Sequence, residues 1–431
     1  MALKPKPNQF YQPVKKLLLA CMAMLAVACS SDDAASVDPV NENPENPAPE
    51  NPQPENPGDG GCLNVYVGNV SLKSQEEVNA FAANHYCAIY GSLSIGWVEF
   101  NGIDDLSGLL DLTEVSESIS IASTDLVNFH GLENLQKAGS LFVAGNFLLE
   151  SLEHLKSITE VGSYQDEGSQ LSLVSNPSLK SLKGLEKIKN VFEFNIQGVE
   201  IVNFEGLSGL EKVKKFIVYG NRKLKNFEGL NNIVHINSFT LSDNDILESV
   251  EQLAGLQTLD YLDCNGNFLL TTLPIMPQVK QIKRVWFTYT KITSLSFLSN
   301  VTSLSLLYLH ENSQLESLNG LHSVVSMSAL NISGSPMIDT LEPLSHLTSF
   351  VPNSEVDENF QGIKIYNTAI ASLSGLENMT SFEGDIKIGG NTNLNDFCAI
   401  AGIVDDASTV NINNNAYNPT VQDIVNGNCS Q

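Results

Sequence analysis

Residues 171–185 read LSLVSNPSLKSLKGL. Leu171 and Leu173 alternate as in a strand, Asn176 follows in a turn, and Leu179, Leu182 and Leu185 recur at steps of three on a return path. The same order returns at Phe239, Leu241, Asn244, Leu247 and Val250, and again at Leu307, Leu309, Asn312, Leu315 and Leu318. A further clear copy runs through Ile386, Ile388, Asn391, Leu394 and Phe397. The first apolar residue of each copy falls at 93, 119, 141, 171, 194, 216, 239, 262, 285, 307, 330, 363, 386 and 410, with a modal step of 23. A unit this short cannot bury its apolar side alone, so the repeats must stack as coils around a shared core. At roughly 4.8 Å per stacked strand, fourteen coils predict a rod about 65 Å long. Two steps are long, 30 and 33 residues, and place insertions near 162–169 and 351–361. Both are acidic (Asp166 and Glu167; Glu355, Asp357 and Glu358) and are expected to be surface loops.

Asn recurs in the turn of eight coils, at 146, 176, 221, 244, 267, 312, 391 and 415. Inside a solenoid such a side chain satisfies backbone groups that would otherwise be buried unpaired, so these Asn are read as structural. The period is that of leucine-rich repeats. The opening Gly68 to Leu72, then Ser74 to Val78, Tyr86 and Ile89 to Ile95, resembles the receptor L domain, as do the recurring Gly-Leu pairs at 131, 184, 206, 229 and 375. That module is a right-handed parallel β-helix found in growth-factor receptor ectodomains and in bacterial surface proteins. The resemblance spans about residues 62–431 and implies a mainly β solenoid with a short N-terminal cap helix. The ending from Asn415 to Cys429 looks like the terminal cap of bacterial members. The array is longer than one L domain, so the receptors' ligand-binding residues do not carry over. The organisation expected is a cap at 62–92, a solenoid at 93–408 and a C-terminal coil with its cap at 409–431.

The segment before residue 62 has a different character. Lys15 and Lys16 precede an apolar run from Leu17 to Ala28 that ends in small residues, the pattern of a secretory signal over 1–28. Cys29 follows directly and resembles the acylated Cys of a bacterial lipoprotein, with Ala26 where Leu is usual. Acyl chains at Cys29 imply a membrane anchor. Ser30-Ser31-Asp32-Asp33 resembles the signal that sends some lipoproteins to the outer face of the gram-negative outer membrane. Residues 29–61 carry seven Pro and eight acids with no Lys or Arg, a composition that stays extended as a stalk. The whole chain has 23 Lys+Arg against 49 Asp+Glu, a net charge of −26. A field of that sign repels nucleic acid and anionic membrane surfaces, so neither is expected as a partner.

Five of the seven Cys belong to the expected fold. Export favours disulfides, and pairing Cys62 with Cys87 and Cys398 with Cys429 would staple the two end coils, which have a neighbour on one side only. No CxxC or His spacing points to a metal, and no Asn- or Asp-rich turn has defensible Ca²⁺ spacing. Cys264 falls on an inward position and reads as a buried thiol. His85, His130, His154, His235, His322 and His346 lie in caps, turns or return legs at unlike offsets, and no catalytic constellation is legible. Neither an enzyme nor a cofactor is therefore expected, although parallel β-helices include polysaccharide-active enzymes.

Function is then sought on the outward strand face, where side chains alternate with the core positions. That face carries Tyr219, Tyr261, Arg284, Trp286, Tyr308, His310, Lys364 and Tyr366. Trp286 and Tyr308 are expected about 5 Å apart on adjacent coils, one strand spacing. Aromatics with Arg form interaction hot spots, and aromatic planes also stack on sugar rings. The reading is a monomeric, non-catalytic surface lipoprotein that presents a rigid strand face to a protein or glycan. The alternatives are a periplasm-facing structural lipoprotein and, third, a β-helix enzyme acting on polysaccharide.

Overall fold

A computed structural model describes residues 62–97, 102–407 and 409–431. The expected signal, Cys29 and the expected stalk fall outside the described residues. Every strand pairs in parallel within one 21-stranded sheet. Val70, Leu93, Ile119, Leu141, Leu171, Phe194, Phe216, Phe239, Leu262, Val285, Leu307, Leu330, Ile363, Ile386 and Val410 stack in one register. The solenoid thus has fifteen coils, one more than the repeat predicts. The extra coil is Val70–Leu72, inside the region expected to be only a cap. Its strand leads into a helix, α1 (Gln75–Ala82), rather than an Asn turn, so the repeat signature is missing there.

Each full coil has a sharp corner. In Lys212–Tyr219 the buried residues are Val213, Phe216 and Val218, so Lys214 and Lys215 stand out together where the strand bends. One continuous apolar core fills the interior. Phe194, Phe216 and Phe239 stack inside it at 5.2 and 5.4 Å, with Phe204 and Phe227 packed edge-on at 4.9 Å. The recurrent Gly-Leu pair has a steric cause. Gly131 has φ +107°, and a Cβ there would sit 1.8 Å from the Leu106 carbonyl oxygen of the preceding coil.

The eight turn Asn are buried and form ladders. Asn244 Nδ2 donates to the Val218 and Ser242 carbonyls, while its Oδ1 accepts the Asn221 N–H; Asn267 repeats the arrangement one coil on. Where Asn is lacking, Thr124, Thr290 and Thr368 donate to the next ladder Asn. The ends are closed separately. α1 is capped by Ser74, and Cys62 is bonded to Cys87; α2 (Val421–Val425) carries a Thr420–Asp423 capping box, and Cys398 is bonded to Cys429. Cys264 is buried, and that burial pushes its thiol up to about 12.

Candidate functional site

Strands Tyr261–Asn265, Gln281–Thr288 and Ser303–His310 lie side by side, and their register sets the site. Tyr261 pairs with Arg284 and Leu306 at the first outward position, and Asp263 with Trp286 and Tyr308 at the second. Trp286 and Tyr308 stack at 3.9 Å between ring centroids, 15° from parallel. Arg284 forms two hydrogen bonds to Asp263, Nε to Oδ1 at 2.9 Å and Nη2 to Oδ2 at 2.6 Å. Its guanidinium also lies 5.3 Å from the Tyr261 ring, a cation–π contact. Burial outweighs the Arg284 pairing and pushes the Asp263 carboxyl above the ordinary range.

The insertion at 351–361 is a largely exposed surface loop, as its acidity predicts, but it does not stand clear of the solenoid. It leaves the corner after Ser349–Phe350 and lies over this aromatic face. Val356 joins Leu306 and Ala329 in a small buried cluster, with Trp286, Tyr308 and Phe360 packed against it. Phe360 stands edge-on to Trp286 at 5.0 Å and to Tyr308 at 5.6 Å. Trp286 and Tyr308 are therefore half-buried, and Leu306, at an outward register position, is buried beneath the loop. Polar contacts hold the cover. Lys283 Nζ pairs with Glu355 Oε1 at 2.8 Å, Asn353 Nδ2 donates to Ser305 Oγ at 3.2 Å, and Asn331 Nδ2 donates to the Phe360 carbonyl at 2.8 Å. Lys364 donates to the Asn359 carbonyl, and its burial holds the ammonium below its usual range.

Between loop and strands a cleft of about 130 Å³ remains, bordered by Tyr261, Lys283, Arg284, Trp286, Glu355, Asp357 and Phe360. Small-molecule sites usually run to 300–1,000 Å³, as a rough range. The cleft is thus sized for one projecting side chain or one sugar edge of a larger partner. His310 extends the rim, 6.3 Å from Tyr308 and 5.6 Å from Tyr289, whose ring is exposed. Tyr219 and Tyr366 do not join the group. Tyr219 is two coils before Tyr261 and at the far outward position of its strand, about 16 Å away by strand spacing and rise. Tyr366 is two coils beyond His310.

The insertion at 162–169 behaves similarly from the other side. Tyr164 Oη pairs with Asn237 Oδ1 at 2.9 Å, three coils further on, and Lys214 lies 5.6 Å from both the Tyr164 and Phe192 rings. Burial, with the Asp260 charge, pushes the Tyr164 phenol up. Asn237 donates in turn to Asp260 at 3.2 Å. Both insertions thus leave the same corner of the solenoid and lean towards one another, framing the coil of Tyr261. Phe360, Val356, Lys283, Glu355 and Tyr289 are site residues that the strand-face pattern misses. The signal for the loop residues among them is the 33-residue step combined with Val351, Val356 and Phe360 in an otherwise mostly polar insertion.

No family model matches this chain, and no curated protein sequence matches it. Among solved structures, an internalin from Listeria monocytogenes aligns with 17% identity and a TM-score of 0.41, over 78% of this chain and 88% of that one. An overlay this loose carries no argument about site or partner, and the fold stands on the strand register itself.

Proposed function

We propose that this protein is a non-catalytic binding protein, anchored by lipid at Cys29 to the outer membrane and displayed on the cell surface. In this reading it engages a protein or glycan through the corner cleft. The observation that carries the proposal is the cover: Phe360 and Val356 hold the Trp286–Tyr308 stack in one place and leave Tyr261, Lys283 and Arg284 at an open rim. A preformed aromatic cleft on a stacked solenoid loses little conformational entropy when a partner arrives, so contact energy goes into affinity. The receptor L likeness and the resemblance of Cys29 to the acylated Cys of a bacterial lipoprotein support the same reading.

Two experiments test it. Protease shaving of intact cells, with a periplasmic protein as leakage control, should remove the solenoid; full protection would refute surface display. Arrays of immobilised glycans and of extracellular proteins, probed with purified protein, should give a signal that Tyr261→Ala and Arg284→Ala abolish at unchanged folding. Signals that survive both variants would move binding away from the cleft.

A further inference from the structure

We propose that His130, Glu133 and His154 form a divalent-metal site suited to Zn²⁺, on the return legs of two stacked coils and apart from the strand-face cleft. The site starts from a recurrent frame. In three coils a Glu two residues after the Gly-Leu glycine turns back and accepts that glycine's N–H: Glu133 from Gly131 at 2.8 Å, Glu186 from Gly184 at 3.0 Å and Glu377 from Gly375 at 2.6 Å. In Glu133 the carboxylate is thereby fixed through Oε2 and presents Oε1, whereas both oxygens of Glu186 share the Gly184 N–H. Beside Gly184 and Gly375 the preceding residue is Lys183 or Ser374. Beside Gly131 it is His130, and the next coil adds His154.

Glu133 Oε1 lies 2.6 Å from His130 Nδ1 and 3.7 Å from His154 Nε2, and all three donor atoms fall within 4.8 Å of one another. A tetrahedral ion with bonds of about 2.0–2.1 Å needs its donors about 3.3 Å apart. The Glu133–His130 spacing must open by about 0.7 Å, the Glu133–His154 spacing close by about 0.4 Å and the spacing of the two imidazole nitrogens, within 4.8 Å, close by up to about 1.5 Å, shifts within the reach of side-chain torsions. Two imidazoles and one carboxylate are a borderline donor set that suits Zn²⁺ and disfavours Ca²⁺ or Mg²⁺. His154 Nε2 faces Glu133 from beyond hydrogen-bonding range and its buried Nδ1 has no hydrogen-bond partner, so ligation through Nε2 breaks no bond of this ring. Binding therefore displaces only the His130–Glu133 hydrogen bond. The His130 side chain is 61% exposed, so the fourth position opens to water or to a partner's ligand.

The test is calorimetric titration of the purified chain with Zn²⁺, with Co²⁺ absorption as the geometric readout. One equivalent should bind, and Co²⁺ should show the intense visible bands of tetrahedral coordination. His154→Ala and Glu133→Gln should each weaken binding roughly tenfold or more. Glu186→Gln makes the same substitution at a glycine cap where no imidazole stands, and should leave Zn²⁺ affinity unchanged. The proposal is overturned by the absence of saturable binding, by binding that survives both ligand variants, or by Glu186→Gln weakening it as much as Glu133→Gln.

Discussion

Phe360→Ala tests whether the 351–361 insertion is a cover or an ornament. Phe360 makes two edge-on ring contacts, 5.0 Å and 75° to Trp286 and 5.6 Å and 86° to Tyr308. At about 0.5–1.5 kcal/mol per aromatic pair, truncation removes about 1–3 kcal/mol before any lost burial is counted. The remaining ties are modest: the Lys283–Glu355 pair is about two-fifths exposed on each side, where ion pairs contribute about 0–1 kcal/mol. The loss should therefore appear as local opening, raising the open population of the loop by roughly 5- to 150-fold, while the solenoid stays folded. Hydrogen exchange at the amides of Val356, Phe360 and Gln361, each bonded within the loop, reads this directly. The chain has two Trp. In a Trp97→Phe background, emission from Trp286 should shift red and become more accessible to quencher. Unchanged exchange across 353–361 with unchanged Trp286 emission would refute the reasoning.

Asn244→Ala should be far more costly than its small volume implies, because it orphans the buried Asn221 N–H and removes a second bond from the Val218 and Ser242 carbonyls. At about 1–3 kcal/mol for an orphaned buried donor this is a loss of about 1–3 kcal/mol in denaturant unfolding, and a loss below about 0.5 kcal/mol would contradict the ladder's role. Burial raises the Asp263 carboxyl above its ordinary 3.8. Between that value and the raised midpoint the folded state holds the extra proton, so this group's contribution to stability falls as pH rises; Asp263→Asn should remove that slope from a pH series of urea melts. Lys283→Ala should change global stability by under about 1 kcal/mol and abolish any salt dependence of loop exchange. Cys29→Ala should release the protein from membrane fractions; continued association would remove the lipid anchor from the account.

Much of the solenoid is legible because the inward residues are few in kind and strictly placed. Leu171, Phe194 and Phe216 announce their register through spacing alone, and Asn176 or Asn244 marks the turn that no apolar residue could occupy. The first coil escaped because Val70 and Leu72 lead into α1 and break the repeat. The cleft was half legible: the Trp286–Tyr308 neighbourhood follows from one repeat step of 22 residues, but its cover does not. Acidity dominates the composition of 351–361, whereas two side chains, Val356 and Phe360, decide where it packs, and only tertiary contact reveals that. His130 and His154 are 24 positions apart, one more than the modal step, so stacking places them side by side although no linear motif links them.

The most direct test of the binding account is site-specific photocrosslinking on intact cells. A photoreactive phenylalanine analogue at Tyr261, on the cleft rim, is compared with the same analogue at Tyr219, about 16 Å away on the same sheet by strand geometry. The account predicts a discrete adduct at position 261, lost when Arg284→Ala is added, and none at 219. Equal labelling at both positions, or an adduct at 219 alone, would contradict it.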